Sequence, residues 1–180
     1  MATIYNRNTF GIEHPTVGLL NIGTEETKGN ELVKESYQLL KEKSKKLGIN
    51  FIGNVEGRDA FSGKVDAIVT DGFTGNVFLK TTEGLGKFVK RTLTESLTQN
   101  LISKICTVPC LPAINRFKKT MDYKSYGGAL FLGVKKPVVK AHGSSDETLF
   151  EFTIKQAEKF VENKAVDRMI EEFEKKSGNA

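Results

Sequence analysis

The sequence predicts an α/β fold built on a parallel sheet. Short apolar runs recur at 17–22 (VGLLNI), 49–52 and 65–70 (VDAIVT), and segments of helical periodicity and length alternate with them. Three strand-like runs also end in Gly and small polar residues before a helix, as such turns do at the carboxyl edge of a parallel sheet.

The first strand is expected at 17–22, closed by Gly23. Polar residues as far as Asn30 lead into ELVKESYQLLKEKSKKLG, where Leu32, Val33, Leu39, Leu40 and Leu47 recur at helical intervals and Gly48 stands where a helix would end. A second strand begins at 49–52 before GNVEGRD. A third spans 65–70, and DGFTGN then precedes a helix from about Val77. Residues 82–106 read as helical, Pro109 and Pro112 interrupt, and 113–124 resume the pattern. The chain is therefore expected to form a single domain over 1–180 from which a helical hairpin, about 82–125, protrudes with ICTVPCLPAI at its tip. Gly127 and Gly128 precede strand-like 129–134 and 137–141. HGSSDE opens a last helix whose Leu149, Phe152, Ala157, Phe160, Val161, Ala165, Met169, Ile170 and Phe173 form one apolar face.

An apolar share of 38%, with Tyr counted and Gly not, supports a buried core and excludes disorder and collagen-like repetition. No run reaches the ~18 apolar residues of a membrane span, and MATIYNRNTF lacks the apolar core of a secretory signal. The cytoplasm is the expected compartment. Cys106 and Cys110 have no second Cys/His pair beside them, and His14 and His142 stand far apart. No metal site is expected, and the thiols are read as free. The net charge of +5 is localised: nine Lys and Arg face three acidic residues between 80 and 124, whereas the other 18 basic and 19 acidic residues nearly cancel. Such a field suits an anionic partner. Few aromatics accompany it and no reader motif matches, so nucleic acid is not expected.

GTEETKGN, DGFTGN and HGSSDE each present Gly, small polar residues and a helix amino end, where unpaired N–H groups and the helix dipole favour a phosphate or carboxylate. Plain readings stand beside this one. Ser144 and Ser145 suit a helix cap, with Glu147 completing a capping box; Gly72 and Gly75 suit a turn; Lys28 suits a solvated surface. The order of Lys and Gly in TKGN is wrong for an ATP-binding P-loop. At the hairpin tip Ile102, Ile105, Val108, Leu111 and Ile114, flanked by Lys104, Arg116, Lys118 and Lys119, fit either an interfacial membrane patch or a buried subunit contact.

VGLLNIGTEETKGNEL, INFIGNVEGRD, VDAIVTDGFTGNVFLKTTEGLG and MDYKSYGGALFLGVKKPVVKAHGSSD, in this order, together resemble the carboxyl-terminal half of the PlsX family, the phosphate:acyl-carrier-protein acyltransferases of phospholipid synthesis. The resemblance runs from about Val17 to the final helix. It implies a three-layer α/β/α sheet of the phosphate acetyltransferase and isocitrate/isopropylmalate dehydrogenase type, without any transfer of hydride chemistry. It implies that inorganic phosphate displaces acyl carrier protein from a long-chain acyl thioester, in a homodimer held peripherally at an anionic membrane and using no cofactor. By resemblance Lys28, Asp71 and Asn76 are the catalytic candidates: Lys28 to hold phosphate or the developing oxyanion, Asp71 to orient Lys28 or phosphate, Asn76 to donate a hydrogen bond. Gly23, Thr24, Gly72, Gly75, His142, Gly143, Ser144 and Ser145 would complete the phosphate-binding loops.

Members of that family are roughly twice as long, and the DAMGGDxxP and SAGNTGA motifs of their other half are absent from this sequence. A second expectation follows. The chain would then be a catalytically incomplete module that binds phosphate, membrane or acyl carrier protein, or one half of a split enzyme completed by a separate chain.

Overall fold

The computed structural model describes residues 1–120, 128–143 and 145–177. Ser144, Gly127 and the expected end of the second hairpin helix at Lys124 lie outside the described residues. The chain divides into two compact units, Met1–Thr70 with Gly127–Ala180, and Asp71–Tyr126.

In the first unit α1 (Ala2–Phe10) precedes β1 (Thr16–Asn21), α2 (Glu31–Leu47), β2 (Asn50–Glu56) and β3 (Ala67–Val69). The three strands form a parallel sheet in the order β2-β1-β3, with helices packed on it, so the α/β expectation holds. Central β1 buries Val17, Leu19 and Leu20. Gly18 is required between them, because a Cβ there would come within 2.2 Å of the Val55 side chain. At the strand mouths the Thr16 N–H and hydroxyl donate to Asp66 Oδ2 (2.7 and 2.8 Å), and the Asp66 N–H returns a bond to the Thr16 hydroxyl.

β2 does not stop at Ile52 as expected. Gly53, at φ 92°, forms a bulge where the pairing steps from Val17↔Phe51 to Gly18↔Gly53, and the strand continues to Glu56. A glycine that reads as a strand end in sequence is here a kink within the strand. On α2, Asn30 caps the start and Gly48, at φ 62°, ends it, but Leu32 and Leu39 stay exposed, so its packed face is narrower than the periodicity suggests.

The carboxyl-terminal part of this unit also departs from expectation. The strand-like runs contract to β4 (Ala129–Leu130) and β5 (Val139–Lys140), an antiparallel pair apart from the parallel sheet. The single last helix is two: α6 (Glu147–Glu162) and α7 (Ala165–Ser177). Lys164 between them has the left-handed φ of 49°, which ends the first helix and redirects the chain. Leu149, Phe160, Ala165 and Met169 are buried as expected, whereas Phe152 and Val161 lie on the outer face of α6 and, with Phe173 of α7, remain exposed. α7 packs on α1, where Arg7 pairs with Glu172 at 3.2 Å, and Tyr5 of α1 also lies against Phe160 of α6.

The second unit is helical: α3 (Gly72–Thr98), α4 (Leu101–Thr107), a 3-10 turn at Val108–Cys110 and α5 (Leu111–Thr120). α3 starts at Gly72, five residues before Val77, so DGFTGN is a first helical turn and not a loop. The two prolines leave the tip helical: Pro109 sits in the 3-10 turn and Pro112 in the first turn of α5, where its missing N–H has no intrahelical partner to lose. Leu93 and Leu97 of α3 face Leu111, Ile114 and Phe117 across a groove of about 100 Å³. The expected five-residue apolar tip is thereby divided. Ile102 (75%), Ile105 (62%), Val108 and Leu111 are exposed, Leu111 at the rim of the groove, while Ile114 lines the groove and is half-buried.

Candidate functional site

The β1–α2 connection is built around a lysine. β1 ends in Asn21, whose Oδ1 accepts from the Ile22 N–H (2.8 Å) and whose Nδ2 donates to the Lys28 carbonyl (3.1 Å). From β2, Asn54 donates to the Glu25 carbonyl (2.9 Å), and the Lys28 N–H bonds to that same carbonyl (3.2 Å), closing a turn over residues 25–28. Gly29, at φ 90°, lets the chain turn into α2, and a Cβ there would press on Asn21 Oδ1 at 2.7 Å. Asn30 then caps the helix by accepting from the Val33 N–H.

Charge in this loop is partly cancelled. Glu26 pairs with Lys41 of α2 at 2.6 Å and accepts from the Tyr37 hydroxyl, and the Lys41 ammonium holds its carboxyl below the usual carboxylate range. Lys28 is exposed and has no ion pair among the described residues. Gly23 is buried beneath it, and a Cβ at that position would meet the Lys28 stem at 3.1 Å. Thr24 is exposed on the same loop. Gly23, Thr24 and Lys28 are thus brought together in an open turn ahead of a helix amino end, where the Lys28 ammonium and the helix dipole can attract an anion although the Glu25 carboxylate, 2.7 Å from the Gly23 Cβ position, lies in the same turn.

His142, Gly143 and Ser145 form a second turn of the first unit. The Ser145 hydroxyl and N–H both donate to the His142 carbonyl, at 2.7 and 3.0 Å. The capping-box expectation is corrected: α6 begins at Glu147, and Asp146 caps it by accepting from the Leu149 N–H (2.9 Å). Ser145 closes the turn instead. Gly143 faces open space.

Asp71, Gly72, Gly75 and Asn76 belong to the second unit, at the start of α3. Asp71 Oδ1 accepts from the Phe73 and Thr74 N–H groups, both at 2.9 Å, and the Gly75 N–H makes the first helical bond to the Asp71 carbonyl. Hydrogen bonds donated by the Thr74 hydroxyl and N–H hold the Asp71 carboxyl below its ordinary range. Gly72 faces open space and Asn76 is exposed on the second turn. Among the described residues no group of three or more His, Cys, Asp or Glu could hold a metal ion, and no helix is long and apolar enough to cross a membrane.

Sequence reasoning missed Asn21 and Asn54, the two side chains that hold the Lys28 turn. The available signal was an amide closing the apolar run of β1 and a second amide just after Gly53 in β2.

A model of the fatty acid synthesis protein family matches residues 1–168. The chain is 47% identical over 174 residues to a phosphate acyltransferase of Thermoanaerobacter pseudethanolicus, covering 97% of this chain and 51% of that protein. It is 46% identical over 177 residues to one from Clostridium perfringens, covering 98% and 51%, and 45% identical over 179 residues to one from Bacillus pumilus, covering 99% and 53%. The chain spans about half the length of these relatives.

Proposed function

The chain belongs to the fatty acid synthesis protein family, the PlsX family that its motifs resemble, and from that premise we propose that it carries the phosphate site of a phosphate acyltransferase. In the proposed reaction a phosphate oxygen attacks the carbonyl carbon of a long-chain acyl thioester on acyl carrier protein. A C–O bond forms, the C–S bond breaks, its electron pair leaves on sulfur, and the proton of hydrogen phosphate ends on the thiol. Acyl phosphate and free acyl carrier protein result, and no cofactor enters the balance.

The observation that carries this reading is the Lys28 turn, an exposed ammonium without an ion pair among the described residues, held ahead of the α2 amino end. Developing negative charge on the carbonyl oxygen needs such fixed positive charge and N–H donors. In this reading Asp71 orients Lys28 or phosphate, Asn76 donates a hydrogen bond, and the His142–Ser145 turn adds further N–H groups. Lys28→Ala should lower phosphate-dependent acyl phosphate formation about 100-fold or more. Turnover within a few-fold of the unsubstituted chain would overturn the role.

Half-length coverage of the relatives favours a second reading, a phosphate-binding module or one half of a split enzyme completed by another chain. Silence of this chain in an assay where a full-length relative turns over would favour it. The reading also includes a homodimer in the cytoplasm that touches anionic membrane through the exposed Ile102, Ile105 and Val108 beside basic residues. Ile105→Asp should weaken flotation with anionic vesicles; unchanged flotation would remove the membrane contact.

A further inference from the structure

Asn54 has no place in the acyl-transfer chemistry, yet its setting is unusual. It is 7% exposed and commits its side-chain N–H to the Glu25 carbonyl of the Lys28 turn, 29 residues earlier in sequence. Its Oδ1 is buried without a hydrogen-bond partner among the described residues. An apolar residue of similar size would avoid the penalty of an unpaired buried acceptor, so packing alone does not account for an amide here. The bulge at Gly53 shifts the pairing of β2 so that Asn54 stands opposite Leu19. From the neighbouring strand Asn21 holds the other end of the same turn through the Lys28 carbonyl. The Glu25 carbonyl receives both Asn54 and the Lys28 N–H.

We propose that Asn54, acting with Asn21, is a positioning residue that fixes the 25–28 turn and so holds the Lys28 ammonium where inorganic phosphate binds. The inference rests on the phosphate reading of Lys28, and two measurements keep them separable. Asn54→Leu retains size and removes the donor and the unpaired acceptor together. In the ligand-free chain, hydrogen exchange at the Lys28 amide should quicken about tenfold while Leu19 and Leu20 keep their protection. Calorimetric titration with inorganic phosphate should then show about tenfold weaker binding, with the melting temperature held within a few degrees. Asn54→Ala removes the amide without adding bulk or charge, and gives the same test if the Leu variant does not fold.

Unchanged exchange at Lys28 overturns the proposal, as does faster exchange with unchanged phosphate affinity. Loss of protection throughout the sheet with a large fall in melting temperature also overturns it, because Asn54 would then serve stability alone. Lys28→Ala is titrated alongside. If it binds phosphate like the unsubstituted chain, the phosphate reading fails even where the exchange result stands; if it loses binding while Asn54→Leu keeps it, only the positioning role fails. An unsubstituted chain that binds no phosphate overturns both.

Discussion

The β1–α2 connection and the start of α3 share one sequence plan, a short apolar run, then Gly and small polar residues, then a helix, yet they are assembled differently. The Lys28 turn is tied to two strands by Asn21 and Asn54, one bond bridging 29 residues. The start of α3 holds itself: Asp71 accepts from Phe73 and Thr74, two and three residues on. One loop owes its shape to tertiary contacts and the other to a local cap. A cap can form wherever a helix begins, whereas a turn held from two strands is a construction that only the folded sheet supplies.

The largest effect that sharpens this contrast concerns Asp71. Asn caps a helix about as well as Asp, so Asp71→Asn preserves the start of α3 and removes only the charge. If the carboxylate also orients Lys28 or phosphate, acyl phosphate formation should fall by about tenfold or more with the melting temperature unchanged. Activity within a few-fold would leave Asp71 as a cap and nothing else. Lys28 caps nothing, and it has no ion pair among the described residues of its own unit.

The glycines should respond with opposite signs. Gly29 combines a φ of 90° with a Cβ position 2.7 Å from Asn21 Oδ1, so Gly29→Ala should destabilise the first unit by more than about 1 kcal/mol. Gly72 lies in the helix with open space where a Cβ would go, so Gly72→Ala should stabilise by a few tenths to about 1 kcal/mol. Equal responses in a denaturant titration would mean that the two starts are not built differently after all.

How much of this was legible in sequence follows the same division. Local signals read well: Gly48 ended α2, the β1 run fell within a residue of its place, and GTEETKGN marked the β1–α2 connection. Signals that depend on distant partners did not. Gly53 read as a stop because the bulge exists only through pairing with β1, and Asn54 carried no meaning without the Glu25 carbonyl above it. Lys164 looked like one more lysine of a continuous helix until its left-handed φ divided α6 from α7. The early start of α3 was a local signal misread, since Asp71 ahead of Gly-Phe-Thr is a legitimate cap and the glycines behind it drew attention to a turn.

Acid should separate the two connections by a smaller amount. Asp71 has a carboxyl pK held below its ordinary value by the bonds it accepts, so its capping contribution is complete above the unfolded value, about 4, and is lost as pH falls through the lower folded value. Asn21 and Asn54 do not titrate. Glu26 does, and its pairing with Lys41 will weaken over a similar range, but that contact ties a side chain of the loop to α2 and leaves the two amide anchors in place. Between pH 6 and about pH 2.5 the protection factors of the Phe73 and Thr74 amides should therefore drop, while that of Lys28 is held. Asp71→Asn, which has no proton to gain, should abolish the drop at Phe73 and Thr74. A parallel loss at Lys28 would mean that the loop depends on its Glu26–Lys41 pair more than on the sheet, and that the two starts differ in residues but not in kind.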